Sequence, residues 1–252
     1  MLLHGLGGSR ISWEPQLEHL AERRRVVAWD LPGYGDAPPL ADDRGGELPV
    51  TFATLADAVV RFVDDVVGEG AVVHLAGISF GGMIAQYAAA RHPHRFVTLA
   101  LLATSPKFGL DGTDPAEWRA ARLAPLDAGE EPADFADRVL SHLAGPDIEP
   151  AAFAGQRDAM ARVSAAALRR SIECLVHHDS RAVLASITAP TLCLVGELDR
   201  ETPPEYSRAI AAQIPGAEVV VVPSAGHLLN AEAPAAVDEL LDRHIREHRS
   251  AR

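Results

Sequence analysis

Short apolar runs alternate along the chain with longer segments whose apolar residues recur at helical spacing. RRVVAWD (24–30), AVVHLAG (71–77), FVTLALLA (96–103), TLCLVG (191–196) and EVVVVP (218–223) are rich in leucine and β-branched residues, with little alternation inside them. Strands covered on both faces of a parallel sheet read this way. Between them lie WEPQLEHLAER, TFATLADAVVRFVDDVVGE, GGMIAQYAAARHP, PPEYSRAIAAQIP and PAAVDELLDRHIREH. In the second of these, Leu55, Val59, Phe62, Val63 and Val66 share one helical face with acids opposite. Pro93 and Pro215 punctuate helix ends. The alternation predicts an α/β fold, a doubly wound and mostly parallel sheet with right-handed crossovers.

From about Ser105 to Ser186 the alternation stops. This stretch contains no convincing strand, only helical patches such as PAEWRAARL, ADFADRVLSHL and AAALRRSIECLVHH. Trp118, Phe135, Leu143, Phe153, Met160 and Leu175 are its apolar positions. The pattern predicts a helical cap, 105–186, inserted over one end of a core built from 1–104 and 187–252. DDRGGELP (42–49) reads as a surface loop, and no repeat or low-complexity linker interrupts the chain.

Composition narrows the classes. The 252 residues, 48% apolar and 23% charged, suffice for one sizeable core plus an excursion. A net charge of −12 argues against a nucleic-acid or anionic-membrane surface, either of which needs a basic face. The apolar runs are far too short to span a bilayer. Cys174 and Cys193 occur in unrelated settings without a CxxC pair, which fits a reducing compartment and leads to a cytoplasmic expectation. No signal peptide is legible, although the chain begins almost on its first motif.

Candidate chemistry starts at GISFGG (77–82), between the apolar run AVVHLA and an amphipathic helix. A serine there packs poorly and strains the backbone, but its hydroxyl projects beyond the strand end. Gly77 and Gly81 remove the Cβ atoms that would collide at such a turn. Ser79 needs a base, and among eleven histidines His227 stands apart: EVVVVPSAGH places it just past the final strand, at the same sheet edge. His74 lies inside a strand, His92 and His94 flank a proline, and His244 and His248 ride the last helix. TLCLVGELD supplies a carboxylate at another strand end, Asp199, to orient the base, with Glu197 a less suitable rival. At the amino end, LLHGLGGS (2–9) offers a strand stub and a glycine turn at Gly5, so the Leu6 and Phe80 N–H groups can bind an oxyanion together. HGLGGS lacks the G-K-[ST] of a phosphate loop and the GxGxxG of a dinucleotide turn. No HExxH or Cys/His cluster suggests a metal, and His177, His178 and Asp179 read as a polar helix end. Asp30 reads as structural, and Arg157, Arg162, Arg169 and Arg170 as a solvated cap face more readily than as contacts for a substrate carboxylate.

HGLGGS, DLPGYGD, GISFGG, GELDRETPP and SAGH together resemble an α/β-hydrolase with a helical cap. Within that superfamily the C-terminal wording is most similar to 3-oxoadipate enol-lactonases and carboxylesterase-type members. The order Ser79, Asp199, His227 is the order of this family. The resemblance implies a cofactor-free serine hydrolase acting on a small-molecule ester or lactone, without nucleic-acid or membrane partners. A C–C bond hydrolase using the same three residues, or a ligand-binding protein retaining the fold, are the alternatives it leaves. Members usually carry an antiparallel pair of strands before the H-G motif, whereas only Met1, Leu2 and Leu3 stand there here. VVAWD would then form a long open apolar edge, which predicts lowered stability or a homo-oligomer paired through it.

Overall fold

The computed structural model describes residues 1–42 and 44–248. Asp43, in the predicted 42–49 loop, and residues 249–252, at the end of the predicted core, lie outside the described residues. Among the described residues one sheet holds β1 (Leu2–Leu3), β2 (Val73–Ile78), β3 (Phe96–Leu102), β4 (Thr191–Gly196) and β5 (Glu218–Val222), in that spatial order. All neighbours are parallel. This explains the missing alternation: β4 is buried along its whole length, with Cys193 in the apolar layer on one face and Leu192 and Leu194 in that on the other.

The run at 24–30 requires a correction. It is no continuous strand: Ala28 makes a single parallel bridge to Leu2. The Leu2 N–H donates to Val27 O (2.9 Å) and the Trp29 N–H to Leu2 O (3.3 Å). A two-residue β1 offers no longer ladder. Trp29 turns inward and is buried, while Val26, Val27 and Ala28 are half-buried, so the uncovered edge is shorter than expected.

The chain runs from β1 out to this edge segment and back past β1 to β2. That reversal puts successive helices on opposite faces. Leu20 of α1 (Glu14–Ala21) packs with Val237 and Leu241 of α11 (Pro234–Glu247). Leu55 and Val59 of α2 (Phe52–Val66) pack instead with Ile84 of α3 (Phe80–Arg91) and Ile210 of α9 (Pro204–Ala211). In open α/β sheets the crevice beyond the strand ends at such a reversal is where ligands bind. Here it lies between the ends of β1 and β2.

Between β3 and β4 the chain is helical: α4 (Pro115–Asp127), α5 (Pro132–Leu143), α6 (Pro150–Ala161), α7 (Ala165–Leu175) and the short α8 (Arg181–Leu184). Asp114 caps α4 by accepting from the Ala116 and Glu117 N–H groups at 2.8 and 2.9 Å. Helix α6 lies within the predicted helical segment but outside the three patches quoted above. Its AAFAGQ start carries little periodicity, but Pro150 opens it as Pro115, Pro132, Pro204 and Pro234 open α4, α5, α9 and α11. That proline was the signal available.

Candidate active site

Strand β2 ends at Ile78 and α3 begins at Phe80, leaving Ser79 alone to make the turn. Its φ of 53° and ψ of −119° are strained for a residue with a side chain. The surroundings hold it there: the Ser79 N–H donates to Leu102 O (2.9 Å), and Ser79 O accepts from Thr104 Oγ1 (2.8 Å). A Cβ at Gly77 would stand 2.4 Å from the Gly81 carbonyl oxygen, and one at Gly81 2.3 Å from that of Leu3. Strand, turn and helix therefore approach backbone to backbone. A Cβ on Gly5 would lie 3.2 Å from Ser79 Cβ, so the amino-terminal turn sits directly beside the serine.

His227 arrives from the loop after β5. Its Nε2 lies 3.0 Å from Ser79 Oγ, and its Nδ1 lies 3.1 and 3.0 Å from the two Asp199 oxygens. Three residues separated by up to 148 positions in the chain thus form one hydrogen-bonded line. His227 is 5% exposed and Asp199 3%. With Asp199 ionised, Nδ1 carries the proton and Nε2 faces the hydroxyl as acceptor. The rival carboxylate, Glu197, is exposed and accepts from the Ser224 N–H (3.1 Å) instead.

Asp199 has help that sequence reading missed. Oδ1 accepts from the Glu201 and Thr202 N–H groups at 2.9 and 2.8 Å, and Oδ2 from the Thr202 hydroxyl at 2.8 Å. An aspartate accepting from the amides two and three residues on is an Asx turn, for which DRET was a legible cue. Burial pushes the Asp199 carboxyl upward, but the His227 charge and hydrogen bond, joined by Thr202, outweigh it and hold it below the usual carboxylate range. Burial likewise pulls His227 down. The Asp199 charge and hydrogen bond, with Glu201 and Glu232 adding to them, prevail and raise it above an ordinary imidazole.

The remaining predicted positions gather at the same crevice. Gly8 N–H donates to Gly5 O (3.1 Å), closing a turn in which Leu6 and Gly7 (φ 73°) are central. The Leu6 N–H takes no part in that bond. His4 is buried, and burial pushes it down to about 4, so it is neutral. It accepts from the Leu31 N–H (2.9 Å) at Nε2 and donates from Nδ1 to Gly5 O (2.8 Å), steadying the turn. Phe80 is the first residue of α3, where an N–H has no preceding helical carbonyl to meet. Asp30 accepts from the Arg10 N–H (2.7 Å) and pairs with its guanidinium, fixing the 3₁₀ turn after the glycines.

Gly5, Leu6, Ser79 and His227 line a cavity of about 690 Å³, roofed by Phe108, Trp118, Phe135 and Met160. The four arginines considered from sequence are not in its lining. Arg169 pairs with Asp127 (2.6 Å), Arg170 approaches Glu47 (3.9 Å), Arg157 lies 3.9 Å from Asp137, and Arg162 is exposed. The cations in the lining are Lys107, Arg122, Arg138 and Arg200. Helical periodicity cannot reveal which face of a cap helix turns toward the sheet. Three histidines passed over in the sequence lie elsewhere: His74 meets Thr98 (2.9 Å), His92 meets Asp57 (2.8 Å) and His244 meets Pro190 O (3.1 Å), whereas His142 lines the cavity.

The model of the alpha/beta hydrolase family matches residues 1–240. The chain belongs to this family. The hydrolase is 30% identical over 244 residues to the pimeloyl-[acyl-carrier protein] methyl ester esterase of Neisseria meningitidis serogroup B (strain H44/76), a match covering 94% of this chain and 89% of that one. It superposes on a thermophilic esterase from Thermogutta terrifontis with a TM-score of 0.83 and 27% identity, over 98% of this chain and 89% of that one. For the enol-lactonase from Burkholderia xenovorans LB400 the TM-score is 0.82 and the identity 25%, over 97% and 90% of the two chains. Among the described residues, no helix of the hydrolase is long and apolar enough to cross a membrane.

Proposed function

We propose that the hydrolase cleaves a small carboxylic ester or lactone through an acyl-enzyme. The observation that carries this reading is His227 Nε2 at 3.0 Å from Ser79 Oγ, with Nδ1 of the same ring on Asp199. Ser79 Oγ attacks the carbonyl carbon as its proton passes to His227 Nε2, and Asp199 stabilises the imidazolium that forms. The Leu6 and Phe80 N–H groups take the oxyanion. The tetrahedral adduct collapses as the imidazolium protonates the departing alkoxide or enolate oxygen. Water then enters the same path with His227 as base, and the acid is released from Ser79. Because neutral imidazole starts each half, the raised His227 places the onset of activity above the ordinary histidine pKa of about 6.5.

The cavity suits a small substrate, since it falls inside the range of about 300–1,000 Å³ usual for such sites. Its aromatic and aliphatic roof favours an apolar acyl or alcohol portion. The methyl ester esterase at 30% identity supports the ester class, and the enol-lactonase at 25% supports the lactone class. Both cysteines are buried and free of disulfides, which suits a cytoplasmic setting.

Ser79→Ala tests the assignment. With p-nitrophenyl acetate we expect kcat to fall by about 10⁶-fold, the size of loss seen when a serine nucleophile is removed. Covalent labelling of the wild-type protein by a fluorophosphonate should map to Ser79. Turnover by Ser79→Ala well above background would remove Ser79 as nucleophile. A panel of p-nitrophenyl esters of increasing acyl length, set against lactones and an enol-lactone, separates the substrate classes.

A further inference from the structure

Three consecutive backbone N–H groups around the general base are each tied down, and each tie leads to one of two places. Gly226 N–H donates to Glu232 Oε2 (2.6 Å) and Leu228 N–H to Glu232 Oε1 (2.8 Å). His227 N–H, between them, donates to Leu143 O at the end of α5 (3.1 Å). Two residues further along the cap, Gly145 N–H donates to Glu232 Oε2 as well (3.0 Å). One carboxylate, at the end of the short helix α10 (Leu229–Glu232), therefore holds both the histidine loop and the cap. The two backbones meet so closely that a Cβ on Gly226 would stand 2.5 Å from Gly145 N, and one on Gly145 2.3 Å from Glu232 Oε2. Gly145, Gly226 and Glu232 do not line the cavity, so the arrangement acts on the base and not on the substrate.

We propose that Glu232 is a positioning residue for His227 and that the Leu143–Gly145 turn of the cap is the other half of the clasp, so that the seating of the cap sets the alignment of the general base. The cap thereby does more than roof the cavity. A carboxylate accepting from three amides has a direction and a reach that few side chains match: Asp is too short, and Gln has one accepting oxygen where two are used. The Glu232 charge also contributes to raising His227, which gives the clasp a signature in pH as well as in rate.

This inference rests on the assignment of Ser79 and His227 above, and the experiment separates the two. Steady-state kinetics with p-nitrophenyl acetate over pH 5–9 would compare wild type, Glu232→Gln and Gly145→Ala, the last opening the clasp from the cap side. We expect kcat to fall by about 10²-fold in both variants, the loss a displacement of about 1 Å can cause, with KM within twofold of wild type. Glu232→Gln should in addition move the acid limb of kcat/KM to lower pH, because a charge that favoured the imidazolium is gone. Circular dichroism, with activity expressed per folded molecule, removes any part due to unfolding. Wild-type kcat and an unmoved acid limb in the folded variants would overturn the clasp while leaving the hydrolase assignment standing. So would a fall in activity that merely tracks the unfolded fraction. A wild-type protein that neither turns over esters nor takes up a fluorophosphonate would instead overturn the assignment itself.

Discussion

Asp199 divides its two oxygens among four neighbours: the Glu201 and Thr202 amides on Oδ1, the Thr202 hydroxyl on Oδ2, and His227 Nδ1 within 3.1 Å of both. So many donors keep the carboxyl ionised despite its burial, and the ionised form is what lifts His227. Activity limited by a neutral base should therefore rise with pH through an apparent pKa above about 6.5. Asp199→Asn removes the lifting charge and allows the wrong tautomer. We expect its acid limb to move to lower pH while kcat drops by about 10⁴-fold, measured as a kcat/KM profile with p-nitrophenyl acetate. The three residues in question were legible in the sequence because each follows an apolar run that must end at one sheet edge. Thr202 and Glu232 were not singled out: the DRET turn that marks Thr202 went unused, and Glu232 meets backbone amides that no side-chain motif marks. The cavity cations Arg122, Arg138 and Arg200 escaped for a different reason: helix and loop orientation over the sheet is set by tertiary packing.

At the scale of elements, the junction of β2 and α3 is tightly constrained. Adding a methyl at Gly77 places it 2.4 Å from the Gly81 carbonyl oxygen, against backbone that cannot rotate away as a side chain would. We expect Gly77→Ala to destabilise the protein by about 3 kcal/mol, the upper end of overpacking losses, read as a lower urea midpoint at unchanged slope. The same substitution should depress kcat by shifting Ser79. Predicted and observed strands coincide at TLCLVG, where burial on both faces imposes the unbroken apolar run that was read. They disagree at 24–30, where the run is equally apolar but its partner β1 is two residues long and the ladder reduces to the bridge at Ala28. An apolar run reports burial; it does not report how much of a neighbour is present to pair with.

Over the whole molecule, the predicted boundary between core and cap does not coincide with a boundary in packing. Leu126, Phe135, Leu140, Met160 and Ile172 of the cap helices belong to the same contiguous apolar cluster as Phe80 and Met83 below the cavity. The Leu143–Gly145 turn is bonded to the histidine loop, and Gln156 Nε2 donates to Ser12 O (3.4 Å) beside the glycine turn. A cap with its own separate core could open independently; one that shares its apolar contacts cannot lose them without exposing the sheet's helices too. We therefore expect cap and core to unfold in urea as one transition. Trp118, on α4 against Phe108 at 5.2 Å between ring centroids, reports on the cap, and its contribution is isolated as the difference between wild type and Trp118→Phe. Its midpoint should coincide with that of far-UV circular dichroism, which follows all the helices. A Trp118 signal lost at clearly lower urea than the helical signal would mean that the cap detaches first. His227 would then lose its cap-side tether before the fold is lost, and activity measured along the same titration should fall with the Trp118 signal instead of with the helices.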